Sequence, residues 1–91
     1  MGNKRTAGIE IKKAIKAMGY KVKSARKTES CRYWRVTFPA GTFKLAPLTV
    51  EESADRWEVK KAIYRICKSA SEKHGVYMED VLMSDTDGFL L

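Results

Sequence analysis

The chain has little of the chemistry that catalytic and metal sites require. It contains one histidine, two cysteines and two prolines in 91 residues. Zinc needs about four Cys or His ligands, so we expect no metal and no cofactor. His74 has no nucleophile motif beside it, and its place near the end of a helical pattern predicts a capping role. We therefore predict that the protein is not an enzyme.

Long hydrophobic runs are also missing. No segment approaches the roughly 18 consecutive apolar residues of a membrane span, and the N-terminus lacks the pattern of a secretory signal. We therefore expect a cytoplasmic protein with no membrane partner, in which Cys31 and Cys67 are reduced and buried. The length predicts a single domain over 1–91, with a mobile basic arm at 1–5 and a C-terminal extension with an acidic turn at 76–91.

Positive charge is plentiful and unevenly distributed. The net charge is +7. Residues 1–45 hold twelve lysines and arginines but only two acids, whereas residues 46–91 hold six basic residues and nine acids. This asymmetry favours an oriented electrostatic surface over a uniformly basic one.

A β-hairpin is predicted from Ser30 to Leu45. In its first arm Trp34, Val36 and Phe38 alternate with polar residues, so these three side chains should face the core. Pro39-Ala40-Gly41 supplies a turn, and a second arm is expected over Thr42–Ala46.

Further elements follow from the spacing of apolar residues. A helix is predicted from a cap at Thr6 to about Met18, and a strand over Tyr20–Arg26 completes an antiparallel meander with the hairpin. The helical spacing of the apolar residues between 59 and 70 places the second helix at about 56–73, after a short turn at 50–54. The segment 76–83 is compatible with a strand or a helical turn.

The predicted fold class is α+β with two layers. Two helices pack on one face of a three-stranded antiparallel β-meander, in the order α-β-β-β-α, and a short C-terminal extension follows. The predicted core comprises Ile11, Ile15, Met18, Val22, Trp34, Val36, Phe38, Phe43, Leu45, Val59, Ile63 and Ile66.

Nucleic-acid binding is the function that the charge pattern favours. Lysine and arginine bind phosphates by releasing counterions, and aromatic side chains on a sheet stack on unpaired bases. The partner would be DNA or RNA. The candidate binding residues come from the first helix and the sheet: Lys12, Lys13, Lys16, Lys21, Lys23, Arg26, Lys27, Arg32, Tyr33, Arg35 and Lys44.

The predicted order of elements is similar to that of the double-stranded-RNA-binding domain and of small toxins of that shape. The resemblance covers the layout of residues 6–74. It implies RNA contacts from the first helix, through Lys12, Lys13 and Lys16, and from a strand–strand loop, through Arg26 and Lys27. It departs from the family where the last helix begins, because acids precede the lysines there, and no membership follows.

A protein partner is the alternative. Small basic chains without catalytic motifs include phage-encoded inhibitors, such as anti-CRISPR proteins and blockers of host nucleases. Such an inhibitor would bind a host nucleic-acid-handling protein or its complex with nucleic acid, through the same basic surface. The acidic segment Glu79–Asp87 would also permit a homodimer by pairing with the basic face of a second copy.

Overall fold

The computed structural model describes residues 3–27, 32–44, 47–85 and 88–89, the last two by their backbone only. Within these residues the elements are α1 (Lys4–Ala17), β1 (Ser24–Arg26), β2 (Tyr33–Thr37), α2 (Val50–Lys73), β3 (Asp80–Asp85) and the two-residue β4 (Gly88–Phe89). The domain is therefore α+β as predicted, in the order α-β-β-α-β with β4 added at one edge.

The sheet is mixed, so the predicted antiparallel meander is wrong. Its strand order is β1-β2-β3-β4. The β1–β2 pair is antiparallel, whereas β2 and β3 are parallel and are joined by α2 as a crossover. The segment predicted as a C-terminal extension thus supplies an interior strand, and the α-β-β-β-α layout shared with double-stranded-RNA-binding domains does not hold.

The predicted second arm of the hairpin does not form over the described residues 42–44. The turn itself is present, because Thr42 N–H donates to the carbonyl of Pro39 at 3.2 Å and Gly41 has a φ of +84°. The chain then leaves the sheet, and the Phe43 ring packs against Phe38 and Tyr20, with ring centroids 5.0 and 5.2 Å apart. Burial of Phe43 among aromatic rings replaces the expected strand pairing.

Helix α1 begins earlier than predicted. The cap is Asn3, whose Oδ1 accepts a hydrogen bond from the N–H of Thr6 at 3.0 Å. Because Asn is a strong N-cap, Lys4 and Arg5 belong to the first turn of the helix, and the prediction of a mobile arm is wrong for them. The helix ends close to the predicted position, with Ala17 as its last residue, Met18 as the C-cap and Gly19, which has a φ of +99°, directly after it.

Helix α2 also begins earlier, at Val50 instead of residue 56. Thr49 and Glu52 form a complete capping box, with reciprocal hydrogen bonds of 3.0 and 3.1 Å. The helical spacing of apolar residues gave the wrong start for α2, because the first part of this helix lies outside the core and so does not follow that spacing. Arg56, two turns in, is buried, donates to the carbonyl of Lys44 and lies 4.9 Å from the centroid of Phe43.

The core lies between the two helices and one face of the sheet. Trp34, Val36 and Phe38 are fully buried there, as the alternation predicted. Met18 was predicted to be buried but is 38% exposed, and Cys31 and Leu45 fall outside the described residues. Also confirmed as buried are Ile11, Ile15, Val22, Ile63 and Cys67, while Phe43, Val59 and Ile66 pack against the core.

Strand β1 is shorter than predicted, since only Ser24–Arg26 of the expected Tyr20–Arg26 pairs with β2. Tyr20 instead packs with the aromatic cluster, and Lys23 N–H donates to the carbonyl of Thr37 at 2.8 Å, where the pairing begins. The sequence left open whether the segment 76–83 is a strand or a helical turn. Residues 76–79 form a connection, and β3 begins at Asp80.

Candidate nucleic-acid interface

A cleft lined by cations lies between the first two turns of α1 and strand β1. It has a volume of about 340 Å³ and is lined by Lys4, Arg5, Gly8, Ala25, Arg26, Lys27 and Trp34, which we call the basic cleft. Its lining contains four basic side chains and no acid. Low-dielectric walls that carry one sign of charge concentrate oppositely charged ligands.

Gly8 brings the two walls of the cleft together. A Cβ built on Gly8 would lie 2.9 Å from the backbone oxygen of Ala25 and 3.7 Å from the indole of Trp34. Only glycine therefore permits this approach of α1 to β1. As a result, the charges of the first helical turn lie beside those at the end of β1, although they are about 20 residues apart in sequence.

Among the described residues, three of the four cations in the cleft are not paired with a carboxylate. Arg5, Arg26 and Lys27 form no ion pair with an acid in the described part of the chain. Elsewhere the basic residues are often paired, as Lys73 is with Glu10 at 3.2 Å. The charges of Arg5, Arg26 and Lys27 are therefore not neutralised by an ion pair within the described structure.

Arg26 and Arg35 lie directly opposite each other in the antiparallel β1–β2 pair. Both are exposed, and residues opposite each other in a register point to the same face of the sheet. Like charges in this position are destabilising. The pair extends the positive charge of the basic cleft onto the face of the sheet that the helices do not cover.

That outer face also carries an aromatic side chain. Tyr33, Arg35 and Thr37 alternate with the buried residues of β2, and Tyr33 is 39% exposed. The sequence predicted this alternation correctly. Leu82 of β3 continues the row beyond Arg35, and Asp80 lies opposite Tyr33. An aromatic ring beside two guanidinium groups provides a surface for stacking and for phosphate contact.

The lysines of α1 divide between two sides of the helix. Lys12 and Lys16 stand seven and eleven residues after Arg5, so they lie on the same side of the helix as the basic cleft. Glu10 and Ala14 line the opposite side, in a groove against α2. Lys13 is exposed and lies further round the helix, so only Lys12 and Lys16 extend the cleft.

The remaining predicted site residues lie elsewhere. Arg32 Nη1 is 3.3 Å from Glu79 Oε1, and Lys44 Nζ is 3.0 Å from Glu52 Oε2, so an acid accompanies each of them. Lys21 and Lys23 are exposed in the segment that leads into β1. The structure thus gathers Lys12, Lys16, Arg26, Lys27, Tyr33 and Arg35 of the predicted set, and sets Arg32 and Lys44 apart.

Sequence reasoning missed two residues of this surface and one exposed aromatic residue outside it. Lys4 and Arg5 were assigned to a mobile arm, although Asn3 is a good helix cap that indicates an earlier start. Trp57 is 51% exposed on α2, and its position off the apolar stripe of that helix already indicated exposure.

The titratable groups with shifted pKa values lie outside the cleft. Hydrogen bonds from His74 and Lys73 lower the pKa of Glu10, and the backbone N–H of Thr49 lowers that of Glu52. Burial raises the pKa of the Cys67 thiol to about 12, which makes it a poor nucleophile. His74 is the C-cap of α2, at the helix end as predicted, but its backbone N–H makes the capping bonds, and the imidazole instead places Nε2 3.1 Å from Glu10 Oε1.

Comparisons of the chain with protein-family models, with curated proteins and with solved structures return no match. In the described ranges no three acidic, histidine or cysteine side chains are arranged to hold a metal ion. The helices described here are too short or too polar to cross a membrane.

Proposed function

We propose that the protein binds nucleic acid through the basic cleft and the adjoining outer face of the sheet. The observation that carries the proposal is the like-charged pair Arg26 and Arg35 at the mouth of the cleft. Such a pair costs stability in the free protein. A polyanion would remove that cost by neutralising both guanidinium groups at once.

The contacts would be of two kinds. Arg5, Lys12, Lys16 and Lys27 stand where a phosphate backbone passing along the edge of the sheet would meet them. Each contact releases counterions and adds sequence-independent affinity. Tyr33 would then receive a base from the same strand, because its ring is exposed beside Arg35. Affinity would come mainly from phosphates, with little dependence on sequence.

Binding to labelled duplex DNA, duplex RNA and single strands, measured by fluorescence anisotropy at about 50 and 200 mM salt, tests the proposal. The informative variant is Arg26→Gln/Lys27→Gln. The control is Lys44→Gln/Lys73→Gln, which makes the same change in net charge at two exposed lysines outside the cleft. We expect the first variant to lose affinity and to reduce the slope of log K against log salt by roughly 1.5–2.

Equal losses in the two variants would show that net charge, and not the cleft, drives binding. No binding by the wild type at low salt would contradict the proposal. The protein-directed inhibitor would then be the remaining hypothesis, and capture of a partner by the wild type but not by the cleft variant would test it.

A further inference from the structure

A second groove lies beside the start of strand β3. It has a volume of about 390 Å³ and is lined by Trp57, Lys60, Lys61, Tyr64, Arg65 and Asp80, and we call it the Trp57 groove. Five of these residues belong to α2. The other four lie three, four, seven and eight residues after Trp57, so all five are on neighbouring turns of one side of the helix. The volume is within the range of small-ligand sites.

Trp57 has no evident role in the fold. The hydrophobic residues of α2 that are buried in the core are Ile63, Cys67 and Ala70, and Trp57 lies off their stripe with half of its surface exposed. Tryptophan is on average a well-buried residue. Its exposure next to a groove therefore suggests a role in contact with a ligand.

The indole is held in position by a neighbouring cation. Lys60 Nζ lies 5.2 Å from the ring centroid of Trp57 and 3.9 Å from Asp80 Oδ2, and its side chain is only 14% exposed. Because the Lys60 side chain is largely buried, its ammonium has little freedom to leave the ring, and a cation–π contact favours one orientation of the indole. A ring that is oriented beforehand loses less entropy when a ligand stacks on it.

The charge of the groove indicates an anionic ligand. The lining residues include three basic side chains, Lys60, Lys61 and Arg65, and one carboxylate, Asp80. Lys61 is engaged with Glu58 at 3.2 Å, but both side chains are more than half exposed. Such a pair contributes little, so Lys61 can exchange it for a phosphate. Arg65 is exposed and has no carboxylate partner in the described residues.

We propose that the Trp57 groove binds one unpaired nucleotide, with the base stacked on Trp57 and the phosphate at Lys61 and Arg65. This inference rests on the proposed nucleic-acid binding and names its substrate as a single strand. Bases in a duplex are stacked on each other and cannot lie on the indole, whereas those of a single strand can.

The position of the groove fits a single strand that also occupies the basic cleft. The cleft borders β1 and the groove borders β3, with β2 between them. Two inter-strand spacings amount to about 10 Å. Arg26 of the cleft lies opposite Arg35, and Asp80 of the groove lies opposite Tyr33, so one strand that crosses Arg35 and Tyr33 would reach both sites.

Tryptophan fluorescence reports on the groove directly. Trp34 is fully buried but forms part of the wall of the basic cleft, so Trp57→Phe, which keeps Trp34, is needed to show how much of the quenching arises at Trp57. We expect a single-stranded oligonucleotide to quench the wild type much more strongly than Trp57→Phe. In anisotropy, Trp57→Leu should weaken single-strand binding at least about fivefold, while Trp57→Phe retains most of it. Duplex affinity should be the same in all three proteins.

The outcomes separate this inference from the proposed function. If single-strand affinity is unchanged in Trp57→Leu while the Arg26→Gln/Lys27→Gln variant loses binding, the groove inference is wrong and the cleft proposal survives. Quenching by polyglutamate and not by the oligonucleotide would assign the groove to an acidic polypeptide and overturn the inference. Absence of all nucleic-acid binding would overturn both. Circular dichroism of each variant verifies that the fold is retained.

Discussion

The indole Nε1 of Trp34 donates a hydrogen bond of 2.7 Å to Oγ of Ser71, and both side chains are buried. The bond joins β2 to the last turn of α2. Because Trp34 also contacts the Gly8 region of α1, one side chain connects both helices to the sheet. It also forms part of the wall of the basic cleft, so packing and the candidate site depend on the same residue.

We expect Ser71→Ala to lower the free energy of unfolding by roughly 1–3 kcal/mol, because it leaves a buried indole N–H without an acceptor. Trp34→Ala should cost roughly 3–5 kcal/mol, since it also removes a large buried side chain. Urea denaturation measures both. Ser69→Ala, at an exposed position two residues away, is the control. A cost for Ser71→Ala no larger than for Ser69→Ala would show that the bond contributes nothing.

Gly8→Ala should destabilise the protein even though alanine favours a helix. The added Cβ would meet the carbonyl oxygen of Ala25 at 2.9 Å, and a backbone atom cannot rotate away as a side chain can. Overpacking of this kind costs about 1–3 kcal/mol, against a gain of about 1 kcal/mol from helix propensity. Thermal denaturation measures the net change, and Lys13→Ala, at an exposed position of the same helix, is the control. A stabilised Gly8→Ala would show that α1 packs less closely on β1.

Arg35→Gln should change stability and binding in opposite directions. Removal of one charge of the Arg26–Arg35 pair is expected to stabilise the free protein by about 0.2–1 kcal/mol. The same change removes a phosphate contact, so nucleic-acid affinity should fall. Chemical denaturation and anisotropy measure the two effects, with Lys13→Gln as the control for loss of one exposed charge. A less stable Arg35→Gln would mean that the arginine has a structural role.

The contact between Glu10 and the end of α2 should make stability depend on pH. Since hydrogen bonds from His74 and Lys73 lower the pKa of Glu10 below its ordinary value of 4.5, the carboxylate contributes fully above that value. Its contribution is lost as the pH falls through the lowered pKa of the folded state. Melting temperatures of the wild type and Glu10→Gln should therefore differ most near neutral pH and converge in acid.

Glu72→Gln controls for loss of a carboxylate from the same region, because no ion pair links Glu72 to the described part of α1. Its melting temperature should follow that of the wild type across this pH range. A constant difference between the wild type and Glu10→Gln at every pH would show that the charge of Glu10 does not stabilise the helix contact.

Local patterns predicted the parts of the fold that depend on neighbouring residues. Alternation over residues 34–38 correctly assigned Trp34, Val36 and Phe38 to the core, and Gly19 was correctly taken as the residue that stops α1. The start of α2 was misplaced because the spacing of apolar residues was preferred over the cap at Thr49, and the start of α1 because Thr6 was taken as the cap in place of Asn3. Asn3 and Thr49 each accept a hydrogen bond from an N–H three residues later, and that signal was present in the sequence.

Which strands pair with each other in the sheet depends on residues that are distant in the sequence. Thr42–Lys44 follow a turn that fits a hairpin, yet Phe43 packs beside Phe38 and Arg56, and these residues form no strand pairing. The place beside β2 is taken by β3, more than 40 residues later. No local pattern contains this information, because it depends on how α2 packs across the sheet.

The sequence by itself determined the charge of the protein, its two helices, the buried face of β2 and most of the core. Only the tertiary structure decided which basic side chains lie close to one another. Gly8 allows α1 to lie on β1, so Arg5 comes beside Arg26 and Lys27, while Glu79 and Glu52 accompany Arg32 and Lys44. The reason is that charge density at a surface depends on distances in space, and these are set by helix packing and strand order, which the separate segments do not contain.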